Sequence, residues 1–349
     1  MSSQQPAARI RPIEAYAEID WQQVEHVTVI CFPSGGEEMI MVRTPDGFRV
    51  PAGAVEPGED VELDSVLRIP LQTAGFRRQG THPAGISGDR RRALFWVDGS
   101  RYHGNREHRS NADWWIGPAA RAAGLLRDQG DDELAELVEL ADRHRSRITD
   151  AELAEDSRRL LDAAYLRADT AEGGSGFGGT PEEWRQGREQ ICDAIESDGS
   201  FLDIGCANGL LMSSVVDWSA ERGHRVEPYG VDHSPALVDL ARRRLPHWAD
   251  RIFVGDALTW THPDGLRFDV VAVLTDIVPE RRHADLLRHL LDRVVTPGGR
   301  LLLNSYGGPP QLSGAAVLHR HGYPVDGMTA PPARGRPDDQ PGAWVINRG

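Results

Sequence analysis

Residues Phe201-Leu-Asp-Ile-Gly-Cys-Ala-Asn-Gly209 constrain this chain more than any other stretch. Phe201 and Leu202 suit a strand covered on both faces. Asp203 stands where that strand ends, and Gly205, Ala207 and Gly209 keep the following turn free of bulk, so that a ligand can lie against bare backbone. Residues 210–218 then continue as a helix. A turn between a strand and a helix N-terminus is where ligands bind in open α/β sheets.

The downstream chain extends the pattern. Tyr229-Gly-Val-Asp232 reads as a second strand, closing on an acid 29 residues after Asp203, where a carboxylate can accept from both hydroxyls of a ribose. Residues 251–256 form a third strand and end in Asp256, residues 268–273 a fourth, and a turn at 296–299 opens a fifth. Apolar residues at helical spacing fill 235–244 and 282–294. Such alternation predicts a parallel, doubly wound sheet. A nicotinamide-binding turn would read G-x-G-x-x-G and set a helix dipole on a pyrophosphate. Here the turn reads D-x-G-x-A-x-G, with an acid where a diphosphate would be repelled. The acids suit a ligand with ribose hydroxyls, an exocyclic amine and a positive centre, and no phosphate.

This ordered series resembles the class I S-adenosylmethionine-dependent methyltransferases over roughly residues 160–349. The resemblance implies a Rossmann-like seven-stranded sheet, mostly parallel, with one antiparallel member in a hairpin of the sixth and seventh strands. It places Asp203, Gly205, Ala207 and Gly209 along the methionine end of the cofactor, with Asn208 beside them. Asp232 then holds the ribose, His233 follows beside the adenine, and Asp256 and Ala257 meet the adenine ring. Thr275 and Asp276 fall near the reacting methyl. Asp276 is the first choice for a base, with His233 and His103 behind it, while Asn304 or Tyr306 would orient the acceptor. The cofactor implied is S-adenosyl-L-methionine, leaving S-adenosyl-L-homocysteine, and no metal. Bland alternatives stand beside these roles: acids at strand ends also cap helices, and Asn208 also suits left-handed backbone.

The front of the chain is a separate problem. Residues 25–32, 38–43 and 93–97 read as strands, and a Pro-Ala-Gly turn with the Gly53…Glu59 spacing lies between them. Over about residues 22–128 this order resembles a Nudix-like α+β domain. That family's hydrolysis needs a helix presenting glutamates to magnesium. The corresponding positions hold Leu71 and Gln72, or Gln72 and Thr73 in a shifted register, and Pro70 interrupts the helix. The domain is therefore read as non-hydrolytic, serving structure, ligand recognition or a homodimer.

Residues 131–145 put Leu134, Leu137, Val138 and Ala141 on one helical stripe, and 148–166 continue as helix. Residues 172–179 hold five glycines in eight, a flexible loop before Thr180-Pro-Glu-Glu183, which opens a helix to about residue 195 with a capping box. The loop is either a lid, with Tyr165, Phe177, Trp184 and Arg188 as pocket candidates, or a linker. The organisation expected is an arm at 1–21, the Nudix-like domain at 22–128, a helical linker and lid at 129–179, and the methyltransferase domain at 180–349.

Composition bounds the function. The net charge is -14 and all 39 basic residues are arginine, which excludes lysine-based covalent chemistry. Nucleic acid is disfavoured because no positive surface is clustered, and Arg90-Arg-Arg92 and Arg242-Arg-Arg244 read as solvated faces. Cys31, Cys192 and Cys206 lie too far apart for a zinc or disulfide motif. No signal or membrane-length apolar run is present, which predicts a cytoplasmic protein. The reading is a methyltransferase of a small molecule, such as a secondary metabolite. The alternative is a non-catalytic S-adenosylmethionine-binding module for regulation or assembly.

Overall fold

Residues 26–33 carry an apolar side chain at nearly every position, which only a strand covered on both faces accommodates. The computed structural model describes residues 10–13, 18–33, 38–56, 76–87, 91–101, 113–306, 313–333 and 340–349. In it β2 (His26–Pro33) buries Val27, Val29 and Cys31 on one face and Ile30 and Phe32 on the other. The chain divides into two compact units, Met1–Leu160 and Leu161–Gly349.

The first unit is built on one sheet. Its strands are β1 (Ile10–Pro12), β2, β3 (Glu38–Thr44), β4 (Gly47–Arg49), β5 (Ala52–Ala54), β6 (Phe76–Ser87), β7 (Arg92–Arg101) and β8 (Asp113–Pro118). They run in the order β1-β6-β7-β2-β3-β4, with β5 on β2 and β8 on β3. Helices α1 (Ala119–Asp128) and α2 (Asp132–Arg145) cover the face of Phe32, Met39 and Trp96, and all four residues of the expected α2 stripe are buried there. Ile13, Ile19 and Trp21 cover the opposite face, so the segment read as an arm contributes core from Ile10 onward. β6 has no counterpart in the sequence reading because Gly80, Pro83 and Gly85 weigh against a strand. Register shifts at Arg78/Gly80 and Pro83/Gly85 accommodate them. Residues 57–75, with Glu59, Leu71 and Gln72, lie outside the described residues, as does His103.

Helix α3 (Asp150–Leu166) runs across the division at Leu160, and in the second unit α4 (Pro181–Arg188) starts with the expected capping box at Thr180 and Glu183. Then follow β9 (Gly199–Ile204), α5 (Leu210–Glu221), β10 (Val226–Asp232), α6 (Pro235–Arg244), β11 (Ile252–Val254) and β12 (Phe268–Leu274). The unit closes with α7 (His283–His289), β13 (Val295–Asn304), α8 (Gly314–Arg320), β14 (Gly327–Met328) and β15 (Ala343–Ile346). The sheet order is β11-β10-β9-β12-β13-β15-β14, parallel throughout except for β15, as the resemblance implied.

Alternate residues serve opposite faces. Leu202, Ile204, Val271, Val273, Leu301 and Leu303 pack on Leu286, Leu287 and Leu290, while Phe201, Val270, Ala272 and Leu302 pack on Trp184, Val215 and Trp218. Two expected helices are shorter than predicted. The one from Thr180 passes into a 3₁₀ segment, Glu189–Ala194, at Arg188, whose φ of -132° is not helical. The one over 282–294 ends in a π turn, Leu290–Val294, that enters β13 directly. Strand order reverses between β9 and β12, and in open α/β sheets ligands bind outside the C-terminal ends of the strands at such a point.

Candidate functional site

The turn after β9 is held by its neighbour strand. The Gly205 and Cys206 N–H groups both donate to the Val231 carbonyl, at 2.8 and 3.1 Å. Gly205 has φ +83° and Gly209 φ +76°, and a Cβ on either would press on Ile277 or Leu245. Ala207 also has positive φ, +46°, an unfavourable setting for a residue with a Cβ. Its N–H donates to Asp232 Oδ2 at 2.9 Å, which offsets the strain.

Asp203 and Asp232 are both buried at this edge. Asp232, at the end of β10, accepts from Ala207 through Oδ2 and from the Ser234 N–H through Oδ1 (2.9 Å), and the half-exposed His233 ring lies 3.5 Å away. Burial pushes its pKa up, and Asp162 adds to that push, while the two N–H bonds and His233 pull it back. Asp203 is different. Burial, reinforced by the charge of Asp232, raises it to about 7, and no hydrogen bond from a described residue reaches its carboxylate. Register sets it opposite Gly230 on β10 and Ala272 on β12.

The remaining predicted residues have distinct settings. Asp256 is exposed, and its Oδ1 accepts from the Leu258 N–H at 2.8 Å, so it shapes its own turn. The adjacent Gly255 N–H donates to the Asp232 carbonyl at 2.9 Å, which keeps that turn beside β10. Ala257 packs on the core. Thr275 is buried, its N–H donating to the Asn304 carbonyl at 2.9 Å, and the half-buried Asp276 follows it. Fully buried His283 donates from Nε2 to the Thr275 carbonyl at 2.7 Å. Burial depresses the His283 pKa, against that bond and the charge of Asp276. Asn304 is also buried, and its Oδ1 meets no hydrogen-bond partner among the described residues.

The glycine loop is tied down rather than loose. A 3₁₀ turn forms at Gly173–Ser175, and Asn208 fastens it: Nδ2 donates to the Ala171 carbonyl at 2.7 Å, and Oδ1 accepts from Ser175 Oγ at 2.6 Å. Arg244 braces the same residue, donating to its carbonyl at 2.6 Å. Arg242 donates to the Ile252 carbonyl at 2.7 Å. Two members of the arginine triplet are thus structural braces and not a solvated face. Nothing in a run of three arginines distinguishes them in advance. Phe177, Trp184, Arg188 and Tyr306 come together, the guanidinium carbon of Arg188 lying 5.3, 5.3 and 3.3 Å from the three ring centroids. The Tyr165 ring lies over Gly176, next to Phe177 in the chain.

A cavity of about 310 Å³ opens at the opposite, N-terminal edge of the sheet. Its polar groups satisfy one another: Asp269 accepts from the Ser200 N–H and Oγ–H, and Arg300 donates to the Ala194 carbonyl. Among the described residues no cluster of three or more His, Cys, Asp or Glu side chains could hold a metal ion.

Residues 201–299 match the family model described as a methyltransferase domain. A demethylmenaquinone methyltransferase of Deinococcus radiodurans is 33% identical over 141 residues, covering 39% of this chain and 54% of that protein. A trans-aconitate 2-methyltransferase of Methylobacterium radiotolerans is 32% identical over 107 residues, 31% of this chain and 38% of that protein. The chain spans about half the length of the curated relatives it matches. Among solved structures, an S-adenosylmethionine-dependent methyltransferase of Aquifex aeolicus aligns with a TM-score of 0.37 at 14% identity, covering 48% of this chain and 94% of that one.

Proposed function

We propose that this chain, which carries a methyltransferase domain over residues 201–299, transfers a methyl group from S-adenosyl-L-methionine to a small-molecule acceptor. The observation that carries this reading is Asp203: a buried carboxylate without a hydrogen-bond donor from a described residue, beside a bare-backbone turn. Such a group calls for a cationic, donor-bearing ligand. The methionine portion of the cofactor supplies an ammonium and a sulfonium there.

Asp232 takes the ribose. Its two oxygens offer about four lone-pair sites, of which backbone N–H groups occupy two, so both hydroxyls can be accepted. Asp256 and Ala257 face the adenine, with His233 alongside. The side chain of Asn208 is engaged by the glycine loop, so its role is to hold that loop over the turn. Gly205, Ala207 and Gly209 provide the surface for the methionine end.

Methyl transfer forms a bond from the acceptor's lone pair to the methyl carbon while the carbon–sulfur bond breaks and its electron pair neutralises the sulfonium. Alignment of the three atoms supplies most of the acceleration. Asp276, next to Thr275 at the end of β12, takes the acceptor proton where there is one to lose. The relatives named for demethylmenaquinone and trans-aconitate support a small-molecule acceptor. Residues 22–128 are read as a Nudix-like, non-hydrolytic unit offering a homodimer surface. No helix among the described residues is long and apolar enough to cross a membrane, and action in the cytoplasm is part of the same proposal.

Calorimetric titration with S-adenosylhomocysteine tests the reading. Micromolar binding to the wild type, lost in Asp232→Ala, supports it, and wild-type protein that does not bind refutes it. Binding without transfer to any compound of a cell extract would favour the regulatory module.

A further inference from the structure

Residues 171–176 form a small turn bonded mainly to itself. The Gly174 N–H donates to the Thr170 carbonyl at 3.0 Å, and the Ser175 and Phe177 N–H groups both donate to the Glu172 carbonyl at 2.9 Å. Gly176 ends it with φ +73°, and a side chain at Gly178 would meet open space, so backbone freedom lies just beyond the turn. None of residues 171–176 joins an apolar cluster among the described residues. The turn is thus one stiff body, held in place by polar bonds.

Those bonds converge on one buried side chain. Asn208 Nδ2 donates to the Ala171 carbonyl at 2.7 Å, and Oδ1 accepts from Ser175 Oγ at 2.6 Å. Gly174 lies so close that a Cβ on it would stand 2.5 Å from Nδ2. The anchor itself is fixed from the far side: Oδ1 also accepts from the Leu210 N–H at 3.1 Å, and Arg244 donates to the Asn208 carbonyl at 2.6 Å. The charge of the buried Glu172 acts on the same Arg244.

The segment borders the cofactor edge at both of its ends. Asp162, upstream on α3, stands near enough to Asp232 for its charge to push that carboxyl's pKa up. Ser175 bonds Asn208 within the turn that offers its backbone to the methionine portion. Residues 162–176 therefore run from the ribose acid to the methionine turn. A local opening that breaks few apolar contacts is cheap, and here it breaks none in the core.

We propose that residues 171–176 are a latched gate on the cofactor pocket. The turn lifts when the Asn208 bonds break, and this lifting sets the rate at which S-adenosylmethionine enters and S-adenosylhomocysteine leaves. The gate rests on the methyltransferase reading and adds control of cofactor exchange to it. The same bonds close the turn with and without cofactor, so weakening them speeds entry and exit together and leaves Kd nearly unchanged.

The test follows tritiated S-adenosylhomocysteine on the full-length protein by rapid filtration. With wild type, the observed binding rate should level off at high ligand, at the opening rate of the gate. Asn208→Ala loses both bonds to the turn and should raise that plateau and the dissociation rate together, roughly tenfold or more. Ser175→Ala removes one bond and should raise both about fivefold. Gly174→Ala presses a Cβ against Nδ2 from the loop side and should act in the same direction, so the test stands even where Asn208→Ala does not fold. A wild-type rate that stays linear in ligand overturns the gate alone. So do folded variants in which only dissociation quickens, or in which neither rate moves. Failure of wild type to bind S-adenosylhomocysteine overturns the methyltransferase reading and the gate together.

Discussion

Replacing Asp203 with asparagine should stabilise the ligand-free protein, and by an amount that grows with pH. The Asp203 carboxyl is raised from an ordinary 3.8 to about 7 by burial and by Asp232. A carboxyl with a raised folded-state pKa binds more protons folded than unfolded, so its contribution to stability falls as pH rises from about 4 to about 7. Below pH 4 both states are protonated and the penalty is absent; above 7 it is fully present. About three pKa units at ~1.4 kcal/mol each give on the order of 4 kcal/mol. At ~2–4 °C per kcal/mol for a unit of this size, the melting difference approaches roughly 8–16 °C. The assay is thermal unfolding of wild type and Asp203→Asn from pH 4 to 9, read as the difference between them, which cancels the titration of other carboxylates. The difference should be near zero at pH 4 and reach its maximum above pH 7. A difference that does not change with pH refutes the argument. The same reasoning requires the cationic cofactor to release a proton from Asp203 on binding near pH 6.5, visible as a dependence of calorimetric heat on buffer ionisation.

Other expectations follow from the same geometry. Gly205→Ala forces a Cβ into positive φ and to 2.8 Å from Ile277 Cδ1, which should cost about 1–2 kcal/mol or more in urea unfolding. Asn208→Ala removes the bonds to Ala171 and Ser175 at about 1 kcal/mol each, so amide exchange over residues 171–176 should quicken while the sheet stays protected. Leu301→Ala in the fully buried core should cost about 2–5 kcal/mol, detected as a lower denaturant midpoint. His283→Leu should slow methyl transfer with little change in cofactor affinity, and His283→Gln, which restores a donor to the Thr275 carbonyl, should recover part of the rate.

The second unit was largely legible because its strands are continuous apolar runs ending in acids, and its turns carry glycine where positive φ demands it. Asp203, Asp232 and the turn between them followed from that pattern. The first unit was legible only in part. β6 breaks strand rules at Gly80, Pro83 and Gly85, and the bulges that accommodate them depend on pairing with β7. The joint role of Asn208, Ser175 and Arg244 was hidden too, since 33 and 36 residues of chain separate the partners.

Local sequence by itself determined the alternation of strand and helix, the acids at strand ends, the capping box at Thr180 and the bare turn at 205–209. These rest on propensity, periodicity and backbone freedom, which act over a few residues. Only the tertiary structure decided that Asp203 lacks a hydrogen-bond donor among the described residues while Asp232 has two, and that Arg188 sits among three rings. Those facts depend on burial and on side chains distant in sequence, and they decide the chemistry.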